Sequence, residues 1–429
     1  MGSTILIKNA RLIDPAQAWD FVGSLLIRDG VFAQLNPVGG SAELVIDAEG
    51  LVCAPGLVDL HVHLRDPGQT HKEDLESGTA AAAAGGVTTL VAMPNTKPTF
   101  DCPELFEQTA KARASLPVRV LQAAAVSRGL GSTDSVDFDA LAASGAAAFS
   151  DDGLPFADSQ TLEKALLAAK RLGLPVLAHC EDKALAGSGI INLGEASKKL
   201  GVPGISNESE AAGVRRDIAC AARVGAPIHI CHVSTREALE EIRQAKAAGV
   251  QVTAETAPHY FALTDELLLG RDADYRMNPP LRSAKDRESI RAALADGTLD
   301  CIATDHAPHS PEEKADFLSA PNGVIGLETS LAVGITYLVA EGIISLPRLL
   351  ELMSTKPAAI LGSGAGSLKI GAPADAVIFD PNAVWTVAPE KMHGKSRNTA
   401  FKGLTLKGKV CYTFCEGRLA YSYKQGRVS

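Results

Sequence analysis

Residues 158–182 read DSQTLEKALLAAKRLGLPVLAHCED, and this stretch decides the fold. The first part, 158–172, reads as a helix, and Gly173 stands where a helix C-cap before a strand is expected. A short apolar strand follows at 175–182 and finishes in His179-Cys180-Glu181-Asp182. A helix leading through a glycine into a strand with a polar end is one repeat of an alternating βα pattern.

The same unit recurs outward in both directions. Apolar strands are expected at 57–63, 88–95, 118–126, 146–153, 175–182, 227–234, 251–260 and 300–308. Helical stretches such as 208–223 and 235–248 lie between them, with Gly225 and Gly249 at the cap positions. Eight strands is the number that closes a (β/α)8 TIM-type barrel, here over residues 55–362; an open doubly wound sheet is the alternative. Both chain ends read as β. Ile5-Leu6-Ile7, Ser24-Leu25-Leu26-Ile27 and 43–46 are separated by turn signals at Asp29-Gly30, Gly39-Gly40 and Glu49-Gly50. At the other end come 375–379, 385–387, 410–414 and 418–421. Residues 1–54 and 363–429 are therefore expected to form one small discontinuous β-sandwich domain, with the barrel inserted into it.

Composition narrows the function classes. The 429 residues are 46% hydrophobic and 21% charged, with a net charge of −9, so a large core is affordable and no basic face offers itself to nucleic acid. No run approaches the ~18 apolar residues of a membrane span, and Met1–Lys8 by number 1–8 lacks a basic leader; a cytoplasmic chain is expected. The eight cysteines are dispersed without a C-x-x-C pair, which favours reduced, buried thiols, and the 411–415 spacing carries no chemistry.

The polar residues gather at the strand ends. Strand one ends in Asp59-Leu60-His61-Val62-His63, and the two-residue period of a strand puts His61 and His63 on one face. Strand four ends in Asp151-Asp152, strand five in His179, strand six in His232, and strand eight in Asp305. In a barrel these ends surround one mouth. Four histidines and at least two carboxylates in one volume need a cation to share the charge, and the donor set suits zinc. Alternation turns His229, His306, Cys180 and Cys231 away, so these are expected to pack; His71, His259 and His393 carry no usable pattern.

The segment Pro55-Gly56-Leu57-Val58-Asp59-Leu60-His61-Val62-His63 resembles the amidohydrolase superfamily signature. Its continuation through Arg65-Asp66-Pro67-Gly68, with Met93-Pro94-Asn95-Thr96, Asp151-Asp152-Gly153, His179-Cys180-Glu181-Asp182, Asp305-His306-Ala307-Pro308-His309 and 321–329, is similar to bacterial type I dihydroorotases along essentially the whole chain. That resemblance implies a zinc-dependent enzyme closing N-carbamoyl-L-aspartate to L-dihydroorotate and water, reversibly, in pyrimidine synthesis. It implies two zinc ions, one held by His61, His63, Asp152 and Asp305, the other by Asp152, His179 and His232, with Asp151 as the fallback for Asp152. Asp305 would be the general base. Arg65, Asn95 and His309 would clamp the substrate carboxylate, Asn278, Asn322 and Gly323 would meet its ring, and His63 would also contact substrate. A homodimer, and association with aspartate transcarbamoylase, are further implications. Hydantoinases and allantoinases, the competing enzymes, carry a carboxylated lysine on strand four, where this chain has none before Lys164. A non-catalytic partner chain is the remaining alternative, and such chains usually lack the metal histidines. The polar stretch 309–321 is expected to be a loop, either mobile over the site or plainly solvated.

Overall fold

A computed structural model describes residues 4–38, 42–423 and 427–428; the Gly39-Gly40 turn lies outside the described residues. The eight expected strands are all present, each shorter than its apolar run. They are Leu57–Val62, Val87–Ala92, Arg119–Ala124, Ala146–Phe149, Leu177–Ala178, Ile228–Ile230, Val252–Thr256 and Cys301–Ile302. Two parallel four-stranded arcs follow chain order. Parallel bridges Phe149–Val176 and Val62–His306 join the arcs, so the barrel closes. The seventh strand stops at Thr256 rather than running to 260. Pro258 occupies the first turn of a short helix, Pro258–Ala262, where its missing N–H is harmless.

The helices begin and end on the residues that their chemistry selects. Asp158 caps Ser159–Leu172 by accepting from the Thr161 N–H, Ser206 caps Asn207–Val224 and Thr235 caps Arg236–Ala247. Gly173 and Gly225 close two of these helices at φ of 70° and 59°, a conformation that costs glycine nothing. Helices and strands bury a continuous apolar layer between them. A second cluster, containing Val58, Leu60, Val91, Ala123, Ala148, Leu177, Cys231 and Cys301, draws on seven of the eight strands and so fills the barrel interior.

The chain ends meet in one nine-stranded sheet among the described residues. Its path runs Arg427–Val428, Arg418–Ser422, Thr405–Cys415, Ala376–Thr386, Val52–Pro55, Thr4–Asp14, Trp19–Arg28, Val31–Leu35, with Leu44–Asp47 paired beside Thr4–Asp14. Val31 also bridges to Pro373, so the sheet folds over and encloses its own core, including Ile7, Leu12, Phe32, Ile378 and Phe414. Val31–Leu35 and Val52–Pro55 were not among the expected runs. The strand Val52–Pro55 joins the two chain-end halves and leads directly into the first barrel strand.

Candidate metal centre

The six residues expected to hold metal come together at the carboxyl ends of the barrel strands. All are buried. His61 Nε2 lies 3.2 Å from Asp152 Oδ1 and 3.6 Å from Asp305 Oδ1. His63 Nε2 lies 3.4 Å from Asp152 Oδ2 and 3.2 Å from Asp305 Oδ1. On the other side His232 Nε2 and His179 Nδ1 sit 3.5 and 3.7 Å from Asp152 Oδ1, and 3.0 Å from each other. The two Asp152 oxygens thus face different histidines, as a bridging carboxylate would. Asp151 faces elsewhere: it accepts from the N–H groups of Val126, Ser127 and Gly131 and from the Ser127 hydroxyl.

Several residues reach these positions through uncommon backbone. Arg65, His232 and Asp305 have φ of 60°, 38° and 48°, in the left-handed region that side chains with a Cβ seldom occupy. Residues held this way concentrate at functional sites, where the surrounding structure overrides the local cost.

The carboxylates and histidines of the site shift one another. Burial raises the Asp152 carboxyl, yet His61, His232 and His63 bring it well below its ordinary value. Asp305 is likewise opposed by burial and held at about 2 by His63, His61 and His232. Burial lowers His61, but Asp152 and Glu255 raise it well above its usual range. His179 is raised too, because Glu181 and Asp152 outweigh its burial. Protons are thereby favoured on His61 and His179, whereas burial and the neighbouring Arg65 lower His63.

The residues fit a metal. His61 Nε2, Asp152 Oδ1 and His179 Nε2 are buried without a hydrogen-bond partner, although most buried polar atoms have one. His61, His63 and Asp305 form one group with ligand atoms within 4.8 Å of one another, and His61, Asp152 and His232 form a second. Separations of 3.2 to 3.6 Å around His61 and His63 match the edge of a tetrahedron, about 3.3 Å when metal–ligand bonds are ~2.0 Å.

A cavity of about 240 Å³ opens beside the cluster. It is lined by His63, Arg65, Asn95, Asn278, His309, Asn322 and Gly323, together with Gly153 and Ala307, which the sequence reading did not select. Its volume lies below the ~300–1,000 Å³ of drug-sized sites and suits a small ring. Arg65 donates through Nε to the Pro308 carbonyl at 3.2 Å. The residue is 9% exposed, and among the described residues it has no ion-pair partner within 4 Å. Burial lowers it to about 10, against the pull of Asp305, Asp152 and Glu313.

His309 is lowered to about 3 by burial and by Arg65, so it is neutral. Its Nδ1 lies 3.1 Å from Glu313, and its Nε2 lies 3.0 Å from the Asn322 carbonyl and 3.4 Å from Arg65 Nη2, so a single ring proton can serve only one of the two oxygens. Asn95 accepts from His63 Nδ1–H at 2.9 Å and donates to the Asp152 carbonyl, so it orients a cluster histidine as well as lining the cavity. Asn278 donates to Glu181 at 3.2 Å. Gly323 serves by its size: a Cβ there would meet the Ala307 carbonyl oxygen at 2.7 Å, and its N–H is already given to Arg276. The 309–321 stretch is a tied loop. Buried Lys314 donates to the carbonyls of Arg276 and Pro321, and Glu313 pairs with Lys72 at 2.9 Å.

The model of the amidohydrolase family matches residues 52–420, nearly the whole chain. The chain belongs to the amidohydrolase family. Within it, a dihydroorotase of Citrifermentans bemidjiense is 46% identical over 424 residues, covering 97% of this chain and 99% of that protein. A dihydroorotase of Clostridioides difficile is 45% identical, covering 97% and 100%. Among solved structures, an L-hydantoinase from Arthrobacter aurescens superposes with a TM-score of 0.88 at 26% identity, covering 100% of this chain and 98% of that one. A D-hydantoinase reaches 0.86 at 28% identity, covering 98% and 96%. The amidohydrolase barrel with its appended β-sheet is thus the shared architecture. Here its fourth strand, Ala146–Phe149, carries no lysine, and Lys164 is exposed on the helix that follows.

Sequence reasoning missed Glu255. It is buried on the seventh strand, accepts from His61 Nδ1–H at 3.3 Å and from His229 Nε2–H at 3.1 Å, and burial notwithstanding is held at about 2 by those two partners. A usable signal existed: Val252–Thr256 reads V-T-A-E-T, polar at the alternate positions where other barrel strands place apolar side chains. His229 lies outside the cluster, as its parity requires, but it is a hydrogen-bonded partner rather than simple packing. His306 also turns aside, with Nδ1 accepting from the Gly326 N–H. His393 donates to Glu328 away from the mouth.

Proposed function

We propose that this amidohydrolase is a zinc-dependent dihydroorotase. It interconverts N-carbamoyl-L-aspartate and L-dihydroorotate, with loss or gain of water, in pyrimidine synthesis. The observation that carries this reading is Arg65: a buried guanidinium without an ion-pair partner, in a cavity sized for a small ring beside a metal-binding cluster. A buried cation needs an anion, and the planar fork accepts a carboxylate in two parallel hydrogen bonds. The identity of about 45% to dihydroorotases, against 26–28% to hydantoinases, supports the same substrate.

His61, His63, Asp152 and Asp305 would hold one zinc, and Asp152, His179 and His232 a second. Bound there, zinc polarises a carbonyl and lowers the pKa of water, which supplies a nucleophile at neutral pH. The protein's own residues do the rest. Arg65, backed by His309, anchors the substrate carboxylate and presents the ring amide to the cluster. Asn278 and the Asn322-Gly323 wall bound the ring. Asp305, the general base, takes a proton from the attacking water and returns it to the leaving ring nitrogen. In the synthetic direction the same carboxylate removes the ureido proton. A cytoplasmic homodimer, and an association with aspartate transcarbamoylase, belong to the same proposal. No helix among the described residues is long and apolar enough to cross a membrane.

The test is hydrolysis of L-dihydroorotate followed by absorbance, with hydantoin and allantoin in parallel. Loss of dihydroorotate alone is expected. Turnover confined to hydantoin or allantoin would overturn the substrate assignment while leaving the barrel and its cluster in place.

A further inference from the structure

Seven barrel strands supply apolar side chains or thiols to the interior cluster, and the seventh strand in chain order supplies Glu255 instead. This carboxylate is 1% exposed. It lies below the mouth, and both of its oxygens are engaged by histidines. Oε1 accepts from His61 Nδ1–H at 3.3 Å, and Oε2 accepts from His229 Nε2–H at 3.1 Å. His229 is fixed in turn, because its Nδ1 accepts from the Thr253 hydroxyl at 2.8 Å. A carboxylate can only accept, so His61 carries a proton on Nδ1, and Nε2 is the atom that would face a metal.

The neighbouring histidine is held differently. His63 donates Nδ1–H to the amide oxygen of Asn95, a neutral acceptor. One strand thus carries two histidines with the same tautomer but unequal support. An ionised acceptor makes an imidazole the stronger donor to a metal, and it resists rotation of the ring more firmly.

We propose that Glu255, held in place by His229 and Thr253, is a positioning residue that fixes the tautomer and basicity of His61 and so sets how tightly the centre retains its metal. The proposal rests on the metal centre of the preceding section. His61, Cys231 and Glu255, and His229, Glu255 and Cys301, also lie within metal-ligand reach of one another. Both Glu255 oxygens already receive N–H donors, which leaves neither directed at a metal. The positioning role follows from that arrangement.

Stripped protein is reconstituted with zinc in competition with a chromophoric chelator, for wild type, Glu255→Gln and His229→Gln, with circular dichroism to verify folding. Glu255→Gln is expected to weaken metal retention by about 10- to 100-fold, the usual cost of losing such a partner. The cobalt-substituted protein should show a shifted visible spectrum, while KM for L-dihydroorotate at saturating metal stays near the wild-type value. A folded Glu255→Gln variant with wild-type zinc affinity and an unchanged cobalt spectrum would overturn the proposal. Loss of an additional equivalent of metal, with the mouth sites unaffected, would also overturn it, by making Glu255 a ligand. Should Glu255→Gln not fold, His229→Gln carries the test: it leaves Glu255 in place with one partner fewer, and unchanged affinity there contradicts the role. Failure of the wild-type protein to bind zinc would instead strike at the centre itself.

Discussion

Asp14, in the sheet built from the chain ends, and Asp152, at the barrel mouth, are both buried carboxylates. Asp14 accepts from the N–H groups of Ala16, Gln17 and Leu368 and from the Ser367 hydroxyl, so four donors from two distant segments close on it. Asp152 accepts from the Asn95 side-chain amide through its backbone carbonyl; its side chain faces histidines, and Oδ1 has no hydrogen-bond partner. The same residue type at similar burial therefore does two jobs. One carboxylate stitches the N-terminal strand to the segment around Leu368, and the other waits for charge from outside the chain. In this pair the satisfied carboxylate belongs to the architecture, and the one with an orphaned oxygen lies where a ligand would complete the structure.

The largest effect that would break this contrast lies at the mouth. Asp305→Asn should preserve the circular dichroism spectrum and lower kcat by about 10²- to 10⁴-fold, the usual contribution of a positioned general base. Near-wild-type kcat would remove Asp305 from that role. The matching perturbation in the sheet is Phe414→Ala, which empties part of a fully buried cluster. It should cost about 3–5 kcal/mol in urea unfolding while KM for L-dihydroorotate stays unchanged. A substantial KM change would show that the two regions are coupled.

Arg65→Lys sharpens the comparison further. It keeps the charge and loses the fork, and charge-assisted hydrogen bonds are worth about 1.5–3 kcal/mol, so KM should rise roughly 10- to 100-fold with a stable fold. An unchanged KM would take Arg65 out of the cavity's chemistry. The smallest effect concerns the loop. Burial raises Glu313, but Lys72 and His309 outweigh it and hold its carboxyl at about 2, below the ordinary value near 4.5. Its stabilising contribution is therefore complete above pH 4.5 and lost as pH falls through about 2. Wild type should exceed Glu313→Gln by about 1 kcal/mol at neutral pH, as for partly exposed ion pairs, with the gap closing in that acid window. A gap independent of pH would contradict this linkage.

What the sequence made legible follows from period and chemistry. His61 and His63 are two residues apart on a strand, so their common direction needed no structure, and the glycines at 173 and 225 announced helix ends by their backbone freedom. The choice between Asp151 and Asp152 was not legible. It depends on Ser127 and Gly131, in a loop some 20 residues upstream, which claim Asp151 by hydrogen bonds. Glu255 stayed hidden for a similar reason: its partners His61 and His229 come from other strands, 194 and 26 residues away. The strand Val31–Leu35 was obscured because its pairing with Trp19–Arg28, rather than a strong apolar alternation of its own, defines it. The end of the seventh strand at Thr256 turned on Pro258 starting a helix instead of ending a strand.

The central claim is that the orphaned groups at the mouth form a zinc centre acting on a carboxylate-bearing ring. It is tested most directly by stripping the protein with a chelator and titrating zinc back while following L-dihydroorotate hydrolysis and zinc content together. The account predicts that activity disappears on stripping and returns as two equivalents of zinc bind, with the secondary structure unchanged throughout. Full activity in protein shown to contain no metal would contradict it.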